Sequence, residues 1–550
     1  MSLNQFAFPK ETLTIKRSRF DLSWGHTTTL KSGKCVPVYV QEILPGDTFK
    51  IDFNHVTRMM SPVAPIFGNI FLDVHFFFVP NRLTCNYAGK TKVWERVHGE
   101  NTTGWWANTE EMTLQTIPLT SNASMSVANY MGIAIDGGDI DDLEVNTYIF
   151  KAYTLIWNEY FRDQNLEAPK DIDTYGLQTS LDNFELSALY SGTYGVNNYA
   201  HADSCLPAAK LHDYFTSCLP YPMKSFEQVP IIDGVAPVEF DGSGMMVDSG
   251  ATTGTPTVST ISGNKYLLDN DASFMKITNA QVDLSEVVSN NIMALRRNFA
   301  IQRVLERDNY GTRYRELLKA HYGTSLPDFT AQVPEHLGSY RTQLNITQVL
   351  QTSNNTGDAS AITGNHIGSL GAFSNTAGSK EIVEKSFREF GVIIGIAIIR
   401  NEQQYSSGLP KMFSRKRRFD FYYPEFANLG EQAVLNKEIS IESSTQSAGE
   451  GVFGYQPAWQ EYRFRNNFVS GNFAPEAGDE TLTHWTLTND FSSSAPTLSA
   501  AFIHQDPATI GNVLYDQDTE TQFYMDCFFK VTATRPMPVN PLPGGLTGAW

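Results

Sequence analysis

The chain has 550 residues with 41 Lys and Arg against 59 Asp and Glu, a formal charge of −18, which excludes a general polyanion-binding surface and leaves only local basic faces for nucleic acid. Hydrophobic residues make up 41%, which excludes a disordered or collagen-like chain. Charged residues are only 18% while aromatics reach 12%, which points to polar uncharged surface or to surface buried against partners.

In chain order, Val36–Val40 and Phe49–Phe53 are weaker strand candidates. Asn69–Val79 (NIFLDVHFFFV) puts Leu72, Val74, Phe76 and Phe78 on one face, the period of a half-buried strand. Asn146–Asn165 spaces Ile149, Tyr153, Ile156, Trp157, Tyr160 and Phe161 as a helix does. Pro207 can open a short helix ending before Cys218. Residues 242–264 hold 14 Gly, Ser or Thr among 23 and read as a long surface loop, as do residues 352–379. Asp283-Leu-Ser-Glu286 resembles a capping box for a helix carrying Val288, Ile292, Leu295 and Phe299. A second helix over Thr312–Tyr322 should stop at Gly323. Phe390–Arg400 (FGVIIGIAIIR) is apolar on both faces and predicts a central strand, and Arg418–Tyr423 is a weaker strand candidate. Phe523, Met525, Cys527, Phe529 and Val531 alternate with Tyr524, Asp526, Phe528 and Lys530, again a half-buried strand. Pro37, Pro45, Pro80 and Pro424 fall where strands end or lie at an edge. The stretch Arg535–Pro543 is too rich in proline for helix or ladder and reads as an extended arm. The sum is a mainly β body split by helical and loop insertions, with a jelly roll or sandwich as the leading class.

Residues 1–20 lack the apolar segment of a signal peptide, and the longest apolar run, Gly391–Ile399, is half the length of a bilayer span. The five cysteines, Cys35, Cys85, Cys205, Cys218 and Cys527, are scattered with no CxxC, which fits free thiols. The expectation is a soluble protein made in a cytoplasm.

Motifs for chemistry are sparse. Gly89-Lys90-Thr91 ends like a P-loop, but position 84 is Thr84 where the upstream glycine is required. No GxSxG and no HExxH occurs. His201, Asp203, His212 and Asp213 match no standard metal spacing, and Asp136, Asp139, Asp141, Asp142 and Glu144 do not fit an EF-hand. The expectation is therefore no catalysis, no metal and no cofactor. Carboxylates with exposed aromatics also permit an alternative, a carbohydrate-binding or carbohydrate-active β-protein. Lys411, Arg415, Lys416, Arg417 and Arg418 place five cations in eight residues beside Phe413 and Phe419. Cations with interleaved aromatics suit single-stranded nucleic acid, while the bland reading is a solvated strand edge guarded by charge. Arg296, Arg297, Arg303, Arg307, Arg313, Arg315 and Lys319 form a second basic region. Glu306, Asp308 and Glu316 lie among them, so internal pairing is the expected use there.

Long ordered blocks carry a resemblance. They include FDLSWGHTTTLKSGKCVPVYVQEILPGDTFKID (20–52), GNIFLDVHFFFVPNRL (68–83), LPAAKLHDYFTSCLPYPMK (206–224), SRKRRFDFYYPEFANLGEQAVLNKEI (414–439), FGYQPAWQEYRFRNN (453–467) and RPMPVNPLPGG (535–545). With IWNEYFRDQNL (156–166) and residues 295–323 they span nearly the whole chain. The chain resembles the major capsid proteins of the Microviridae, the small single-stranded DNA phages, and within them the gokushovirus type.

That resemblance implies a viral jelly-roll β-barrel with long insertions and a single protomer over 1–550. Its strands would come from about 15–80, 385–425 and 455–535, with 81–380 largely insertion and 535–550 a proline-rich arm. Many copies would form a T=1 icosahedral shell around a circular single-stranded DNA genome, assembled in the host bacterial cytoplasm. The partners implied are an internal scaffolding protein, a DNA pilot protein, a small basic DNA-binding protein and a host cell-surface receptor. A separate basic partner would reconcile DNA packaging with the −18 charge. An insertion at each threefold axis would meet the host. Residues of about 225–280 are the candidate, with Gly242, Gly244, Asp248, Thr253 and Thr257 as attachment positions.

Overall fold

The computed structural model describes residues 16–86, 90–100, 113–118, 125–133, 144–170, 205–224, 292–309, 311–350, 352, 370–441, 451–474, 482–491, 495–516 and 521–540, with paired strand segments between 232 and 289. Two compact units divide the chain, residues 1–222 with 324–550 and residues 223–323.

Eight strands organise the first unit. They are β1 (Trp24–Leu30, its edge continued by Ser18–Asp21), β2 (Val36–Ile43), β3 (Thr48–Met59), β4 (Ile70–Pro80), β5 (Glu335–Gln343), β6 (Thr376–Ser386), β7 (Gly391–Asn401) and β8 (Phe523–Arg535). One sheet runs β1-β8-β3-β6 and the other β2-β7-β4-β5, with every neighbour antiparallel. That strand order is the double Greek key of the viral jelly roll.

The alternation of β8 explains its place. Phe523, Met525, Cys527, Phe529, Val531 and Ala533 are buried while Tyr524 and Phe528 face outward. Phe529 joins the two sheets, with ring centroids 5.1 Å from Trp24 and 5.4 Å from Phe53 in its own sheet, and 5.0 Å from Tyr39 and 6.4 Å from Phe76 in the other. β7 lies centrally, as its two apolar faces require. Gly395 is in register with both Tyr39 and Phe76, and a Cβ there would fall 2.9 Å from Tyr39 Cβ. Pro37 sits beside a register shift on β2, at the sheet edge where a missing N–H is tolerated.

β4 departs from its half-buried expectation. Leu72, Val74, Phe76 and Phe78 share the inner face, but Asp73, Phe77 and Val79 are buried too. The outer face is covered by α1 (Tyr148–Ile156) and the π-turn Trp157–Phe161 that continues it, with Phe77 4.7 Å from Tyr160 and 5.9 Å from Phe161. Asp73 is held there by Arg341 of β5 and Arg400 of β7.

Other expectations change with tertiary context. No helix forms after Pro207. Pro207 bridges Lys34, Ala209 bridges His504, and Trp157 Nε1 donates to Pro207 O at 2.7 Å, so the segment is held extended. Arg418–Tyr423 is no strand; Arg418–Asp420 is a 3₁₀ turn because the Asp420 carboxylate accepts the N–H groups of Lys416 and Arg417 at 2.8 and 2.7 Å. Within 352–379, residues Leu370–Ser374 and the start of β6 are strands rather than loop.

In the second unit the expected loop contains β-ribbon segments. Ile232–Asp233 pairs with Val288–Ser289, Val238–Phe240 with Ala280–Val282, Val247–Asp248 with Lys276–Ile277 and Thr257–Ile261 with Asn264–Leu268, all antiparallel and nested. Val288 is therefore in a strand, the expected capping box at 283–286 lies outside the described residues, and helix α2 begins later, at Ile292–Asp308. Helix α3 (Tyr314–Tyr322) ends at Gly323, whose φ of 69° is left-handed as a C-terminal glycine allows. The acids among its arginines are engaged locally: Asp308 with His321 at 2.6 Å, Glu316 with the N–H groups of Thr312 and Arg313, Glu306 with Gln302.

Candidate nucleic-acid interface

The basic run lies on a layer in the first unit beside a second apolar cluster. Tyr214, Phe215, Cys218, Tyr405, Val434, Ile439, Phe453, Phe502 and Ile503 form that cluster. Its polar atoms are tied off: Tyr405 Oη donates to Asp213 Oδ2 at 2.6 Å and Tyr214 Oη to Glu438 Oε2 at 3.2 Å. Burial pushes the Glu438 carboxyl up, against the opposing charge of Lys411. Asp213 also accepts the N–H groups of Phe215 and Thr216. Its role is to fix a turn, and His201 and Asp203 lie outside the described residues. Among the described residues no three His, Cys, Asp or Glu side chains gather as metal ligands. The five cysteines are free and buried.

Pro410 opens the short helix Lys411–Ser414. Lys411 Nζ reaches Ala433 O at 3.5 Å. Arg415 turns inward: its side chain is 10% exposed, its Nη2 lies 2.9 Å from Glu461 Oε1, and its guanidinium sits 4.5 Å from the Tyr462 ring centre. Lys416, Arg417 and Arg418 stay exposed beyond it. The guanidinium of Arg418 lies 5.8 Å from the Phe419 ring and 5.7 Å from Tyr423. Backbone hydrogen bonds from Lys416 and Arg417 hold the Asp420 carboxyl below its ordinary range, so it remains charged and shapes the turn.

Sequence reasoning missed the second half of this face. Glu461 joins Arg415 across 46 positions, and Trp459 and Tyr462 pack on Tyr422 at 5.7 and 6.2 Å. Those contacts join Trp459, Glu461 and Tyr462 to the basic run, and Arg463, Phe464, Arg465 and Phe468 follow them in the chain. The alternation of cations and rings in Tyr462-Arg463-Phe464-Arg465 was the available signal. The structure thus brings Lys416, Arg417 and Arg418 together on the surface and spends Arg415 on an internal pair.

Of the attachment candidates, Asp248 lies in a ribbon strand opposite Lys276 and Thr257 opposite Leu268. Gly242, Gly244 and Thr253 lie outside the described residues, as do Asp136, Asp139, Asp141 and Asp142 of the acidic stretch and Gly89 of the P-loop-like triplet.

Comparison with known proteins agrees with the strand order. A family model described as capsid protein (F protein) matches residues 10–544. The chain is 32% identical to capsid protein VP1 of Bdellovibrio phage phiMH2K, over 98% of each chain. It is 31% identical to capsid protein VP1 of Chlamydia phage 1, over 97% of this chain and 96% of that one. It is 27% identical to capsid protein VP1 of Spiroplasma virus 4, over 96% and 95%. Jelly-roll topology and similarity along nearly the full length together place the chain in the phage capsid protein (F protein) family, as a structural major capsid protein of gokushovirus type, a homo-oligomeric shell component of the virion and not an enzyme.

Proposed function

We propose that copies of this chain close into a T=1 icosahedral shell around a circular single-stranded DNA genome in the host bacterial cytoplasm. The observation that carries this reading is the complete eight-strand jelly roll, which leaves long insertions between β4 and β5 and between β7 and β8 free to meet neighbours. A shell closes only when the rotations between heterologous contacts close, so insertions rather than barrel strands set its geometry. Lys416, Arg417 and Arg418 are the DNA contacts on this reading, with Arg415 and Lys411 positioning their loop. An internal scaffolding protein, a DNA pilot protein and a small basic DNA-binding protein complete the particle, the last offsetting the −18 charge. The β-ribbon between 232 and 289 is the threefold protrusion that meets a host receptor, with Asp248 and Thr257 on its strands.

Cryo-electron microscopy of particles from a producing host, with nuclease protection on the same fraction, tests the proposal. Closed T=1 particles with protected single-stranded DNA are expected. Small soluble species only, with scaffolding protein present, would overturn it. Deleting residues 242–264 should leave particles closed and abolish attachment; retained attachment removes the receptor role from the ribbon.

A further inference from the structure

We propose that the exposed face built from residues 411–423 and 459–468 is a stacking platform for the unpaired bases of single-stranded nucleic acid. The inference rests on the shell-around-DNA reading and extends it from phosphate contact to base contact, adding residues 459–468 to the basic run.

The rings are the first argument. Phe419 is 68% exposed, Phe413 66%, Phe468 63% and Tyr462 54%. Large rings left exposed on two segments that pack on each other point to an interaction site. They are not loose ends. Arg415 with Glu461, and Tyr422 with Trp459 and Tyr462, lock the two segments into one layer. Asn467–Phe468 is fixed further by pairing with Gln404–Tyr405.

Charge is the second argument. The two segments contain seven Lys or Arg and two acids, 7 − 2 = +5, in a chain of −18. Both acids are engaged, Asp420 with two backbone N–H groups and Glu461 with Arg415. Arg418 lies over Phe419, and the Arg465 guanidinium is 5.5 Å from the Phe468 ring centre. Cations placed at ring faces hold phosphates where the neighbouring bases reach the rings. A duplex keeps its base faces stacked inside, so this chemistry selects single strands.

The test uses the purified full chain and its particles. Fluorescence titration with oligo(dT) and with a duplex of equal length, across a salt series, should show preference for the single strand. Phe419→Ala and Phe468→Ala should each weaken oligo(dT) binding by about five-fold to a hundred-fold with an unchanged salt slope. Arg463→Gln and Arg465→Gln should each reduce the slope by about 0.7. Phe419→Trp, which keeps a stacking face, should retain binding and guards against a folding artefact. Equal affinity for duplex, or ring variants that bind as the parent does, overturns the platform. So does a ring variant that binds oligo(dT) normally but fails to assemble, which would make the face a contact between copies. Parent particles that close while ring variants protect DNA unchanged sink the platform alone. A parent chain that forms no shell sinks the underlying reading instead.

Discussion

Asp73 is the most informative single position in the barrel. Its side chain is 2% exposed, and it receives Arg341 Nη2 at 3.0 Å and Arg400 Nε at 3.1 Å. Asp73→Asn keeps the shape, removes the charge and leaves two guanidiniums facing a neutral amide. Breaking a buried ion pair costs about 3–5 kcal/mol. Arg341 is 52% exposed and Arg400 only 16%, so water softens the loss at the first and not at the second. The expected cost is therefore at the lower end, about 3 kcal/mol. Burial opposes ionisation of Asp73, but hydrogen bonds and charge from Arg341 and Arg400 outweigh it and hold the carboxyl below its ordinary value. A depressed acid stabilises the fold above its unfolded pKa, near 3.9, and loses that stabilisation as pH falls through the folded value. Urea unfolding of the unassembled chain, parent against Asp73→Asn, should show the full difference at neutral pH and a shrinking one below about pH 4. A difference below about 0.5 kcal/mol at neutral pH, the size of an ordinary surface change, would refute the reasoning. So would one that persists undiminished in acid.

Burial pushes the His55 imidazole down to about 4, so folding keeps it neutral. The unfolded state then binds the proton first, so His55 should contribute about 3 kcal/mol of lost stability between pH 6.5 and 4. Burial lowers His75 to about 4 as well, so His55→Gln should remove only one share of the proton uptake on unfolding and leave that of His75. Gly395→Ala should cost about 1–3 kcal/mol in the same urea experiment, because the new methyl meets Tyr39 and Phe76. Phe529→Ala should cost about 3–5 kcal/mol, since the ring fills the space between both sheets. Arg415→Ala should destabilise the chain measurably while Arg417→Ala changes stability by less than about 0.5 kcal/mol, because only the first is paired inside.

How much of this was legible depended on how many neighbours each segment has. β8 alternates cleanly because one of its faces meets solvent, and β7 reads as central because neither does. β4 kept its inner face as expected, but nothing near it in sequence reveals that α1 covers the outer one. Thr257–Ile261 sets its two apolar residues, Val258 and Ile261, three apart rather than two and lies among Gly, Ser and Thr, so it reads as loop although its backbone pairs with Asn264–Leu268. The segment after Pro207 is extended because Lys34 and His504, remote in sequence, pair with it. Long ordered blocks escaped these limits, since a family pattern records the tertiary context that local periodicity lacks.

The basic run shows the same rule at the site itself. Five cations in eight residues look equivalent in sequence. Glu461 makes them unequal: it draws Arg415 under the surface and leaves Lys416, Arg417 and Arg418 outside, and the same contact region packs Trp459 and Tyr462 on Tyr422. A buried ion pair of this kind contributes little net stability but fixes one arrangement against others. On the proposed reading, a small face with fixed cations and rings would hold a single strand even in a chain of −18, because screening confines the repulsion of distant carboxylates to about 8–10 Å while contacts at the face act directly. The genome would then be gripped at repeated small sites, one on each protomer, with a basic partner offsetting the charge between them.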